Sequence, residues 1–199
     1  MPVGLPKIAF PIPITDDDEE PESNGLYRRR VLILGGEITS ELANLMTGAL
    51  IYFSLVDSSK KFKFFINSLG GSVIDGTAIH DTIYTLAAPV DTIVIGIAAS
   101  MASFVLNAGT SRIAFPYARV MMHQPSTPYL DEKNVDIFME VTEIKKMYDN
   151  IIDSFSKRAL KPHAQIKADM ERDFSMSAIE AQKYGLIDLI GGEDLFKFP

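Results

Sequence analysis

"TIVIGIAASMASFVLNAGTS", Thr92–Ser111, is a run of twenty uncharged residues held between Asp91 and Arg112. Its length matches the ~20 apolar residues that cross a bilayer, but its grammar does not. "DTIVIG" is β-branched and closes on Gly96, while "AASMASFVLNAG" is small and helix-compatible, with Asn107 and Gly109 as a stop. The expected reading is a buried strand and a buried helix joined at Gly96–Ala98. The strand then ends at Ala98–Ala99 and Ser100 opens the helix. At that corner, free backbone N–H groups favour developing negative charge, which suits a serine nucleophile. The Gly-x-Ser-x-Gly pattern of a nucleophile elbow is absent. Taken alone, the segment is explained more simply by close packing through Ala and Ser.

Strands and helices alternate on both sides of this run. "VLILG" is a first strand, and "EITSELANLMTGALIYFSLVD" has helical spacing at Leu42, Leu45, Leu50 and Phe53. "KFKFFIN" is a Phe-rich strand entering "SLGGS", where Ser72 and Asp75 have the spacing of a capping box for the helix "VIDGTAIHDTIYTLA". "SRIAF" and "YARVMMHQP" read as further strands. Apolar residues at Phe138, Val141, Ile144, Tyr148, Ile151 and Phe155 mark one long helix over 131–160, ended by Pro162. Short helices and the strand "LIDLI" complete an α/β pattern with crossover connections and no internal repeat. A helix of about 30 residues spans ~45 Å, as wide as the domain itself, so packing against another subunit is expected.

The first 21 residues hold five of the eleven prolines, and "DDDEE" occupies 16–20. Residues 1–25 therefore read as an arm that packs no core, ahead of a domain over 26–199. The prolines also break any signal-peptide h-region. Composition narrows the chemistry further. Cysteine is absent, which excludes disulfides, thiolate zinc sites and a thiol nucleophile; the three histidines make a His-rich metal site unexpected. A net charge of −7 argues against nucleic acid and anionic lipid as partners. Hydroxyl and carboxylate chemistry remains.

Ser100 needs a base, and His123 stands at the end of an apolar strand before Gln124–Pro125, although a structural histidine fits that position equally well. His80 reads as a core or surface residue within a helix, and His163 as exposed. Gly70–Gly71 after a strand would let an oxyanion approach the main chain, with the Gly71 N–H as donor; a plain turn is the simpler alternative. Spacing alone does not choose the carboxylate that orients His123. "ERD", Glu171–Asp173, closes an apparent short helix, where a buried acid would hold the imidazole, although a cap or surface pair is the simpler reading.

In order, "FINSLGGSVIDG", "GIAASMASF", "ARVMMHQP" and "ERDFSMSAIEAQKYGLID" resemble the proteolytic subunits of Clp proteases (ClpP), over roughly Leu26 to Ile190. "MPVGLPKIAF" further resembles the plastid-encoded branch. The resemblance implies a ClpP/crotonase-like α/β fold of repeated β-β-α units with a protruding handle helix, about 124–160. It implies a serine endopeptidase in which Ser100 attacks, His123 carries the proton and Asp173 holds His123. The N–H groups of Gly71 and Met101 would form the oxyanion hole. Gly70, Ser72 and Val73, with Gln124, Pro125 and Ser126, would pair with substrate as an added strand. The same resemblance implies two stacked seven-membered rings, alone or with paralogues, fed unfolded chains by a Hsp100-type AAA+ chaperone. ATP would be used by that chaperone, with no cofactor or metal here, and the arm would line the axial pore. The implied location is the plastid stroma, with a bacterial cytoplasm as alternative. Leu69 stands where the family usually has proline, and "QPSTPYLDEKN" carries Pro128 and no glycine where many members have a Gly-containing segment entering the handle. A catalytically silent ring subunit and a crotonase-type acyl-CoA enzyme are the competing readings.

Overall fold

The computed structural model describes residues 26, 29–124 and 136–191, the side chains of 136–144 excepted. The expected N-terminal arm and the segment 125–135, including Pro125, Ser126 and Pro128, lie outside the described residues. Five strands run parallel in the order β1 (Val31–Gly35), β2 (Phe62–Ser68), β3 (Val90–Ala99), β4 (Ser111–Ala114) and β7 (Leu189–Ile190). Ten-residue β3 serves two partners. Its first half pairs with β4, Asp91↔Ser111 to Val94↔Ala114, and its second half with β5 (Arg119–Met122), Ile97↔Arg119 to Ala99↔Met121. β6 (Phe174–Ser177) adds antiparallel to β5.

Parallel strands buried on both faces read as near-continuous apolar runs, which explains "VLILG", "FKFFI" and "TIVI". One face carries Leu32, Leu34, Phe64, Ile66, Val94 and Ala98 into the main core, and the other carries Val31, Phe65, Ile93 and Ile113 into a smaller cluster. Helix α1 (Ser40–Val56) is capped by Thr39, whose Oγ1 accepts from Leu42 N at 3.4 Å. Its inner face is Ala43, Met46, Ala49 and Leu50; Leu42, Leu45 and Phe53 are half-buried beside it. Leu50 keeps its expected place, while the buried face is otherwise turned by about one residue toward Ala43, Met46 and Ala49.

Helix α2 (Val73–Thr85) begins with half of the expected capping box. Ser72 Oγ accepts from Asp75 N at 3.3 Å, but Asp75 Oδ2 accepts from Ser40 Oγ at 3.0 Å, and Ser72 N donates to Ile38. A complete box forms instead at Ser177–Glu180, opening α6 (Ala178–Tyr184). Helix α3 (Met101–Asn107) is buried throughout, and α4 (Asp136–Ala159) runs 24 residues, ~36 Å. Tyr148, Ile151, Ile152 and Phe155 of α4 enter the core. The chain leaves α4 through Leu160 at φ +53, and Pro162 caps α5 (His163–Met170).

The uncharged run therefore folds as a strand and a helix, with Ser100 at the helix start as expected but without a break at Gly96–Ala98. β3 continues through Gly96–Ala98 to Ala99, and the corner is Ser100 itself. Among the described residues, no helix is long and apolar enough to cross a membrane.

Candidate active site

Ser100 sits at φ +55, ψ −128, a backbone conformation that costs a non-glycine residue about 1–3 kcal/mol and persists where its surroundings over-determine it. Those surroundings are specific. Ser100 N donates to Met121 O at 3.0 Å, and Ser100 O accepts from Ser103 N at 3.0 Å and Ser103 Oγ at 2.7 Å. Ser103 is thereby a buried packing residue. The Ser100 side chain makes no capping hydrogen bond to α3, and the residue is half-buried.

Gly70, at φ +98, lies directly against this corner. A Cβ on Gly70 would stand 2.7 Å from Ser100 Cβ, 2.8 Å from Ala99 O and 3.0 Å from Met101 N. A glycine is needed because the chain approaches within one methyl of the serine. Gly71, at φ +153, forms an isolated parallel bridge with Ile38. Ile38 N donates to Gly70 O at 2.9 Å, and Ile38 O accepts from Ser72 N at 3.0 Å. That pairing pattern turns the Gly71 N–H to the opposite side of the strand. Met101, the first residue of α3, has an N–H that no intrahelical carbonyl takes. Ser68 was not anticipated: its buried Oγ accepts from Gly70 N at 3.1 Å and shapes the glycine turn. A serine two residues before a turn glycine was the available signal.

His123 follows β5. Because Ala99 pairs with Met121, the serine at the end of β3 and the histidine just past β5 emerge at the same, C-terminal edge of parallel strands, where open α/β sheets bind ligands. The β5–β6 ladder explains the third residue. Met122 pairs with Phe174, so His123 and Asp173 are the next antiparallel pair in register. His123 Nδ1 lies 3.8 Å from Asp173 Oδ1, longer than a hydrogen bond. The acid is a surface group: the Asp173 side chain is 75% exposed, against 25% for His123. Helix α5 ends at Met170, and the turn over 171–173, with Asp173 at φ +49, runs along the surface.

Of the residues expected beside substrate, Ser72 caps α2 and Val73 is its first residue, with the Ser72 N–H already given to Ile38. Gln124 is exposed and donates its N–H to Met170 O at 3.0 Å. The other histidines lie elsewhere. His80 is buried behind α3, stacked on Phe104 at 3.8 Å, with Nδ1 2.9 Å from Asp81 Oδ1. His163 is exposed, 3.6 Å from Asp153. Among the described residues, no group of three or more His, Cys, Asp or Glu could hold a metal ion.

A family model described as Clp protease matches residues 18–194. The chain is 45% identical over 199 residues to the ATP-dependent Clp protease proteolytic subunit of Zea mays, covering 97% of this chain and 91% of that protein. It is 44% identical over 203 residues to the protein of that name from Triticum aestivum, covering 99% and 93%. The Oryza sativa subsp. japonica protein of that name is 45% identical over 201 residues, covering 98% and 92%. A parallel sheet that carries serine, glycine pair and histidine to one edge agrees with that likeness, and the chain belongs to the Clp protease family.

Proposed function

We propose that this chain is the peptidase subunit of a compartmentalised, ATP-dependent protease, hydrolysing unfolded proteins with Ser100, His123 and Asp173. The observation that carries the reading is the strained Ser100 corner packed on Gly70, with the serine side chain not spent on capping α3. Ser100 Oγ attacks the peptide carbonyl while His123 accepts its proton, and His123 then protonates the leaving amine. The Gly71 and Met101 N–H groups receive the oxyanion. Asp173 orients His123 once their 3.8 Å separation closes to hydrogen-bond length. Substrate adds as a strand along Gly70–Val73 and Gln124–Ser126.

The relatives are named as subunits of an ATP-dependent protease, which supports an assembled core, here two stacked seven-membered rings with or without paralogues. An AAA+ chaperone of Hsp100 type feeds it and uses the ATP, so the peptidase needs no cofactor. The plant relatives support a plastid location, in the stroma. Residues 1–25 act as the pore-lining arm and 26–199 as the protease domain, with the handle at about 124–160.

The open His123–Asp173 pair favours one second reading, a catalytically silent subunit of the same core. A crotonase-type enzyme draws no support from the family match. Labelling the assembled protein with a serine-directed phosphonate separates the first two. Modification at Ser100, abolished by Ser100→Ala and His123→Ala, is expected; an assembled protein that never labels is a structural subunit.

A further inference from the structure

The β2–β3 ladder breaks once, next to the candidate site. Ile66 pairs with Val94, yet Ser68 pairs with Ala98, so β2 advances by two residues while β3 advances by four. The two extra residues bulge at Ile95–Ile97, where the otherwise buried β3 becomes exposed or half-exposed. This slip decides what meets what. Continued past Ser68↔Ala98, the register sets Gly70 opposite Ser100, the contact observed. Without the bulge Gly70 would stand opposite Ala98, two residues short of the serine.

One side chain bridges the gap. Asn67 Oδ1 accepts the Ile97 N–H at 3.2 Å, replacing the main-chain acceptor that the bulge removes. On its other side, Asn67 O accepts from Gly36 N at 3.1 Å, so the residue is tied to β1 by its backbone and to β3 by its amide. Gly96 completes the device: a Cβ there would overlap Asn67 Oδ1 and stand 3.0 Å from Asn67 Cγ. We infer that Asn67 and Gly96 are positioning residues, a side-chain-bridged bulge that sets the register at which the Gly70–Gly71 loop meets Ser100. The inference rests on the peptidase reading above for its consequence in catalysis.

The test uses the full-length assembled protein. A displacement of the oxyanion loop by about 1 Å can cost up to a hundredfold in rate. Asn67→Ala is therefore expected to lower kcat on a short peptide at least tenfold, with KM within about twofold, and to slow phosphonate labelling of Ser100 in step. Asn67→Asp keeps an acceptor oxygen and restores most of both. Gly96→Ala alone is as damaging as Asn67→Ala, whereas adding it to Asn67→Ala costs less than about a further threefold, the non-additivity of a contacting pair. Hydrogen exchange at the Ile97 amide reads the device without chemistry: it quickens in Asn67→Ala and not in Asn67→Asp. Should Asn67→Ala fail to assemble, Asn67→Ser, too short to reach Ile97, replaces it with the same expectations. Wild-type labelling rates in an assembled Asn67→Ala protein overturn the inference, as does an Asn67→Asp variant no better than Asn67→Ala. A wild-type protein that never labels overturns the peptidase reading instead, and leaves the Ile97 exchange result to decide the positioning role.

Discussion

Ser100 and Gly70 depend on each other at the scale of single residues. The serine holds a positive φ that its own side chain disfavours, and the glycine leaves room for it to do so. Gly70→Ala is expected to destabilise the fold by about 2 kcal/mol, through both the added methyl and its φ of +98. Denaturant midpoints at fixed protomer concentration measure that loss, and phosphonate labelling should fall with it. His80 carries a second prediction. Burial lowers its basicity, opposed by its hydrogen bond and attraction to Asp81 and aided by the Arg158 charge. The unfolded chain then takes up this proton at higher pH than the folded one, so the folded state loses stability as pH falls from about 6.5. Replacing His80 by Phe should flatten that loss, read as thermal midpoints between pH 7 and pH 5. Ser100 and His123 were legible in the sequence as a possible nucleophile and base, whereas Asp173 was singled out only by the family resemblance. The separation of His123 from Asp173 was not legible, because it depends on where a surface turn lies.

Elements decide how firmly that corner is held. Helix α3 has seven residues and no charge of its own, so neighbours must satisfy its last carbonyls. Arg158 of α4 does so, donating Nε to Asn107 O at 2.9 Å and Nη2 to Gly109 O, while Asn107 Nδ2 donates to Ser154 Oγ at 2.9 Å. Phe104 meets Phe155 edge-on across the same contact. Arg158→Ala should cost about 2 kcal/mol by orphaning two carbonyls, with Arg158→Lys recovering part of it, measured by urea unfolding. At the far edge, Arg112 is buried and reaches Asp188 Oδ1 at 2.5 Å, Asp188 Oδ2 at 3.1 Å and Gly185 O at 2.8 Å. Burial raises the Asp188 carboxyl, but hydrogen bonds and charge from Arg112 outweigh it and hold the group below its usual range. Asp188→Ala strands the buried guanidinium and should cost about 2–3 kcal/mol, less than for a fully buried pair because Asp188 is partly exposed. The long elements were legible from hydrophobic period. β6 was not: "FSMS" is too short to show an alternation, and its existence depends on β5 lying beside it.

At the scale of the whole molecule, apolar surface on α1 stays exposed among the described residues. Ile51, Tyr52, Leu55 and Val56 all remain exposed, Leu55 by 83%. A contiguous patch of that kind marks an interface, in keeping with relatives named as subunits. Leu55→Glu is expected to shift the protein toward smaller species in light scattering while leaving the protomer's circular dichroism unchanged.

The sequence by itself determined the α/β class and the order of the longer elements, and it marked Ser100, the glycine pair and His123 as candidates that the order of four motifs then brought together. Period, turn residues and side-chain chemistry are local properties, and they are written in consecutive residues. Only the tertiary structure decided the register. The two-residue slip of β3 against β2, the pairing of His123 with Asp173 across β5 and β6, and the glycine that must face a serine thirty residues away are relations between segments. Such relations are set by ladder hydrogen bonds and close packing, which no single stretch of chain contains.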